Sequence, residues 1–132
     1  MYKKILLTLI LILIFSSCSN EEIPITSGNT LSTPGWPVIF QGFAKINGKD
    51  IPAGIQIFAK LREHRSLIAE TESGTYKNVV IGAEKDSDYG EFITFHIGSP
   101  DSNSVKSKEK YKMLKSSEPT IIRLDLNFPK LP

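Results

Sequence analysis

The sequence predicts an all-β domain, an antiparallel two-sheet sandwich of about seven strands, set behind an export signal and a flexible tether. Three observations predict it. From Val38 onward apolar residues recur mainly at period two, in short runs separated by glycine, asparagine and serine turns. No stretch carries a 3.6-residue apolar stripe, so the helices that parallel crossovers need are missing. The one long unbroken apolar run, Ile5 to Phe15, lies at the N-terminus, outside the alternating region. Closure of the strands into a small barrel is the alternative architecture.

A chain of 132 residues suits one domain. The expected division is a signal peptide over 1–17, a lipidated cysteine and flexible linker over 18–35, and the sandwich over 36–132. The formal charge of +2 comes from the leader, since the 16 bases fall to 14 without Lys3 and Lys4 and then equal the 14 acids. That balance argues against a nucleic-acid partner.

The leader has three parts: the basic start "MYKK", the 11-residue run Ile5 to Phe15, and small residues after it. The run falls short of the roughly 20 apolar residues of a membrane span, and "SSCSNEE" is too polar to extend it. The stretch "FSSC" resembles the lipobox of bacterial lipoprotein precursors. The resemblance implies that Cys18, the only cysteine, is acylated, becomes the first residue and holds the protein on a membrane. A lone thiol in an oxidising compartment favours modification, and several acyl chains anchor durably where one does not. The expected location is therefore extracytoplasmic and membrane-anchored, on the outer membrane if the envelope is Gram-negative. The rival is ordinary secretion with cleavage after Ser19, because Ser17 and Ser19 satisfy the small-x-small rule. Between Ser19 and Gly35, 12 of 17 residues are Ser, Thr, Asn, Gly or Pro, too little apolar surface to offset the entropy of ordering.

In the domain, "VIFQGFAKI" leads to Asn47-Gly48, a strong hairpin signal. In "IQIFAKL" period two places Ile55, Ile57, Ala59 and Leu61 on one face. A weaker strand is expected over Ser66 to Glu70, then a turn at Ser73-Gly74 and a strand opening near Tyr76. "EFITFHI" alternates Ile93, Phe95 and Ile97 against Phe92, Thr94 and His96, so both faces are partly apolar and the strand is expected to be central. "TIIRLDLNF" closes the chain with Ile122, Leu124, Leu126 and Phe128 inward and Arg123, Asp125 and Asn127 outward.

The segments "GFAKINGKDIPAGIQIFAK", "SGTYKNVVI" and "GEFITFHIG" resemble the small prealbumin-like and carboxypeptidase-regulatory-like sandwiches of extracytoplasmic proteins, over roughly Gly42 to Phe128. The resemblance implies an Ig-like or prealbumin-like sandwich and non-enzymatic structural, adhesive or binding work, with a cell-surface glycan or protein as partner. It carries no catalytic residue and no cofactor.

Catalytic motifs are missing: there is no Gly-x-Ser-x-Gly, no His-Glu-x-x-His and no phosphate-cradling glycine loop. His96 reads as a structural histidine on a strand face, with a ligand or base role as the alternative, and His64 in "REHRS" as a loop residue. The competing function is a small secreted hydrolase or glycan-active enzyme whose site no motif reveals. In "DSDYGE", Asp86, Asp88 and Glu91 offer carboxylates that suit calcium, although an ordinary acidic turn has the same composition. In "VKSKEKYKM", Lys106, Lys108, Lys110 and Lys112 recur at period two, so a strand aligns four ammonium groups on one face. That row is either a footprint for a polyanion or an edge device against strand pairing. Trp36 and Tyr76 are candidates for a sugar-stacking platform, or for caps on the core.

Overall fold

A computed structural model describes residues 35–132 as an all-β domain of two open sheets packed as a sandwich. The leader, Cys18 and nearly all of the expected linker lie outside the described residues. The strands are β1 (Val38–Ile46), β2 (Lys49–Asp50), β3 (Gln56–Leu61), β4 (His64–Arg65), β5 (Ala69–Glu70), β6 (Thr75–Ile81), β7 (Phe92–Gly98), β8 (Ser104–Lys112), β9 (Thr120–Arg123) and β10 (Leu126–Phe128). A 3₁₀ turn over Asp86–Asp88 precedes β7.

In the first sheet β1 is the spine. β6 and then β2 pair antiparallel along one side of it, and β9 and then β10 pair along the other. The hairpin from β1 to β2 turns at Asn47 (φ 49°) and Gly48 (φ 79°), the two positive φ values that the Asn-Gly pair tolerates. In the second sheet the order is β8, β7, β3, with β4 and β5 sharing the far side of β3. β7 is thus internal, as its two partly apolar faces predict.

The expectation of a wholly antiparallel sandwich is corrected at the C-terminus, where β9 and β10 run parallel to β1. After β8 the chain leaves the second sheet through residues 113–119 and enters the first beside the free side of β1. Parallel neighbours need a long intervening connection, and everything from β2 to β8 supplies it. The last strand is also split. Leu124 N–H donates to the Gln41 carbonyl at 2.9 Å, but Phe43 N–H is then met by the Asp125 carboxylate at 2.9 Å instead of a backbone carbonyl. Gly42 permits this approach: a Cβ there would lie 2.8 Å from the Leu124 carbonyl carbon and 3.0 Å from Asp125 Oδ1. The Tyr76 hydroxyl donates to the same Leu124 carbonyl at 2.6 Å, and burial, with the charges of Asp125 and Glu109, pushes its pKa well up.

A bulge in β6 sets which of its side chains face in. Phe40 pairs with Val79 but Gly42 with Tyr76, so β6 carries one extra residue, and Asn78 absorbs it at φ 60°. Tyr76, Val79 and Ile81 all point inward as a result. The core joins Phe40, Ala44, Tyr76, Val79, Leu126 and Phe128 of the first sheet to Ile57, Ala59, Leu61, Ile93, Phe95 and Ile97 of the second. Phe40 anchors it, edge-on to Phe95 at 4.8 Å and to Tyr111 at 5.2 Å. The outward and inward sets of the last strand alternate as read, with Leu126 and Phe128 buried and Leu124 half-buried.

Candidate polyanion-binding face

Lys106, Lys108, Lys110 and Lys112 lie on β8, at one edge of the second sheet, and all four side chains are exposed. Val105 and Ser107, on either side of Lys106, are buried, so the strand reading of the segment holds. A second bulge arranges the row. Thr94 pairs with Lys110 and His96 with Lys106, so three residues of β8 (107, 108, 109) stand against Phe95 alone. Lys106 and Lys110 therefore oppose positions only two residues apart on β7, roughly 7 Å along the strand, with Lys108 on the bulge between them. The Ser107 hydroxyl closes the bulge on the Glu109 carbonyl at 2.9 Å, and Glu109 turns away to Asn127 of β10, at 2.7 Å to its backbone nitrogen and 3.0 Å to its side-chain amide. The one acid of the lysine strand is thereby withdrawn from the row.

The face continues across the sheet. Lys60 of β3 pairs with Thr94, and Arg65 of β4 pairs with Lys60, so cations follow the same outward rows on neighbouring strands. At the centre Phe58 and His96 stack at 5.3 Å and 12°, with Lys60 Nζ 5.7 Å above the Phe58 ring. Phe58 alternates outward yet is fully buried under these neighbours. Lys110 Nζ sits 4.0 Å over the Phe92 ring. His96 Nε2 is 3.0 Å from Thr94 Oγ1. Burial, then the charges of Lys60 and Lys106, lowers the His96 pKa to about 4, so the ring is neutral at pH 7. Among the described residues none of Lys60, Arg65, Lys106, Lys108, Lys110 and Lys112 has a carboxylate partner, whereas Lys77 and Lys115 pair with Glu72 and Asp86.

The loop of Asp86, Asp88 and Glu91 is organised around an arginine. Asp88 is fully buried; its Oδ2 accepts the backbone N–H groups of Glu84 (2.9 Å) and Lys85 (3.2 Å), and its Oδ1 lies 3.6 Å from Arg62 Nε. Burial opposes its charge, but those N–H groups and the positive charges of His64 and Lys85 hold the carboxyl below its ordinary value. Arg62 also donates to Ser87 O (3.0 Å) and to Glu91 Oε1 (2.7 Å), while Asp86 turns out to Lys115 at 3.7 Å. The three carboxylates expected for calcium are thus not gathered on one point, and among the described residues no three His, Cys, Asp or Glu side chains form a metal-holding group.

His64 lies beside Arg62, Glu84 and Asp88 in a cleft of about 350 Å³, with Nε2 engaged by Gly82 O at 3.0 Å and Nδ1 facing Glu84 at 3.7 Å. It is half-buried, not a solvated loop residue. Trp36 and Tyr76 form no sugar platform, because Tyr76 is a core residue. Missed in the sequence were Lys60, Arg65 and Phe58. Lys60 was findable, since it alternates outward in "IQIFAKL".

Fold and face together define a small all-β two-sheet domain with a cationic outer surface on one sheet. The chain matches no protein-family model, no curated protein and no solved structure.

Proposed function

We propose that this chain is a membrane-anchored extracytoplasmic lipoprotein whose sandwich is a non-enzymatic module that binds a polyanion. The carrying observation is the row Lys106, Lys108, Lys110 and Lys112, exposed on one face and without carboxylate partners among the described residues. Four unneutralised ammonium groups favour an anionic partner electrostatically. The edge-protection role of such lysines explains the charge of β8 but not the additional cations on β3 and β4. The anchor is supported by "MYKK", the run Ile5 to Phe15 and "FSSC". Kinship with prealbumin-like and carboxypeptidase-regulatory-like modules is supported by the Asn47-Gly48 hairpin, the Gly74-Thr75-Tyr76 opening and the glycine-led central strand. A binding role is favoured over hydrolysis because among the described residues no acid stands beside His96 to orient it as a base, and His64 Nε2 is engaged by the Gly82 carbonyl.

Two experiments test the two halves. Metabolic labelling with a clickable fatty acid is expected to mark the wild type and not Cys18→Ala; an unlabelled wild type whose mature N-terminus is Asn20 makes secretion correct. On an array of acidic glycans, anionic lipids and cell-wall polymers, changing all four lysines to glutamine is expected to remove binding. Equal binding by variant and wild type removes the row as a site.

A further inference from the structure

Resting on that polyanion reading, we propose that the seat is the centre of the second sheet's outer face, with Lys60 and Lys106 on either side of His96, and that His96 takes up a proton as a linear polymer bearing sulfate or phosphate esters binds there.

The geometry converges on His96 from each strand that packs beside it. On β8, Lys106 is its direct cross-strand partner and Lys108 stands on the bulge that follows, while Lys110 lies over Phe92 further along the strand. On β3, Phe58 is its partner on the other side and lies stacked against the ring, and Lys60 leans over Phe58. On its own strand Thr94 shares a hydrogen bond with Nε2. Beyond β3, Arg65 pairs with Lys60, and Glu70, opposite Gln56, is the acid at that end. A neutral ring is therefore held among ammonium groups with no carboxylate against it among the described residues.

An anionic ester placed between Lys60 and Lys106 reverses the sign of the local field. The charges that now disfavour imidazolium are then neutralised, and the protonated ring becomes a further donor to the ester oxygens. Protonation and binding therefore favour each other by the same factor. A glycan or other soluble chain fits this face better than a bilayer does. At the centre of the face Phe58 is covered and Lys110 lies over the Phe92 ring, and the exposed Leu67 and Ile68 sit in the β4–β5 connection, away from His96, while the cations lie on a broad sheet.

Dextran sulfate is the probe, because its sulfate groups do not titrate between pH 4 and 8 and any proton uptake belongs to the protein. With the full chain in a non-ionic detergent, the His96 ring is titrated by NMR with and without saturating dextran sulfate, and affinity is measured from pH 7.5 to 5. His96 is expected to titrate at least one unit higher in the complex, with affinity rising about twofold or more between pH 7.5 and 5, because a free value of about 4 leaves most of the tenfold-per-unit limit below that window. Lys60→Gln is expected to weaken binding severalfold, and Lys45→Gln, on the first sheet, to leave it unchanged. His96→Gln is expected to flatten the pH profile, whereas His64→Gln retains it. Dextran phosphate, which carries phosphate esters on the same backbone, compared with dextran sulfate at pH 7.5 identifies which ester the seat accepts. If dextran sulfate binds through the four β8 lysines while Lys60→Gln matches the wild type and the His96 titration stays put, the central seat is wrong and the edge row alone is the site. If the protein binds vesicles of phosphatidylglycerol in phosphatidylcholine and neither polymer, the partner is a membrane and both readings of a polymer fail.

Discussion

Replacing Gly42 with alanine tests the packing that holds the split C-terminal strand against β1. The backbone φ of Gly42 is not positive, so conformational strain is not the issue. Space is. An added Cβ lies 2.8 Å from the Leu124 carbonyl carbon, and a peptide plane cannot move aside as a flexible side chain does. Overpacking of this kind costs about 1 to 3 kcal/mol. Displacing Leu124 and Asp125 also weakens their hydrogen bonds to Gln41 O and Phe43 N, at about 0.5 to 1.5 kcal/mol each. The lost chain entropy of glycine in the unfolded state returns about 0.4 to 1 kcal/mol. The expected net loss is about 3 kcal/mol, roughly 12 to 24 °C in Tm for a domain of this size. Equilibrium urea unfolding followed by circular dichroism measures it. Gly48→Ala is the contrast, with φ 79° and nothing within 4 Å, where strain alone costs about 1 kcal/mol. Tyr76→Phe removes the hydroxyl from the same Leu124 carbonyl, so the Gly42 and Tyr76 changes together are expected to cost less than their sum. A Gly42→Ala loss no larger than that of Gly48→Ala, or strict additivity with Tyr76→Phe, refutes the steric reasoning.

Leu126→Ala, at a core position 1% exposed, is expected to cost about 2 to 5 kcal/mol, half-buried Leu124→Ala less, and exposed Arg123→Ala under about 1, all read by the same unfolding curves. The unliganded domain is expected to lose stability as pH falls from 6.5 toward 4: the unfolded chain protonates His96 at its ordinary value of 6.5 while the folded ring stays neutral to about 4, and His96→Gln is expected to reduce that slope. Asp88 has the same sign at lower pH. Its folded carboxyl stays ionised below its ordinary 3.8, so it stabilises above that value and loses the contribution as pH falls through its folded pKa; the deficit of Asp88→Asn at pH 7 is expected to shrink at pH 2 to 3.

Alternation and turn chemistry made most of the strands legible. Asn47-Gly48 and Ser73-Gly74 turn where their residue types demand, and Ile57, Ala59, Leu61, Ile93, Phe95 and Ile97 face inward as period two requires. Of the expected Ser66 to Glu70 strand only Ala69–Glu70 forms, as β5, and the short β4 at His64–Arg65 precedes it. Ser66 points inward, accepting the Ala59 N–H at 2.9 Å through its hydroxyl, and this breaks the ladder. What the sequence did not show depends on partners. A bulge is a mismatch between two strands, and neither strand alone displays it. The β8 bulge adds two residues and so preserves parity, leaving the lysines on one face but closer together than an even strand places them. The parallel direction of β9 and β10 was equally hidden, because side-chain alternation is identical for either direction of pairing. Phe58 reads as an exposed outward ring until His96 and Lys60 of the assembled sheet are seen to cover it.

The polyanion-binding face is tested most directly by the salt dependence of dextran sulfate binding at pH 7.5. Raising ionic strength from 0.1 M to 1 M shortens the Debye length from about 10 Å to 3 Å, which screens exposed ammonium groups and leaves buried packing untouched. Wild-type affinity is expected to fall more than tenfold over that range. The variant with Lys106, Lys108, Lys110 and Lys112 changed to glutamine is expected to bind weakly at every salt concentration, while its stability stays within about 1 kcal/mol of the wild type. Affinity that is indifferent to salt, or that survives the four substitutions unchanged, contradicts the cationic face as the binding surface.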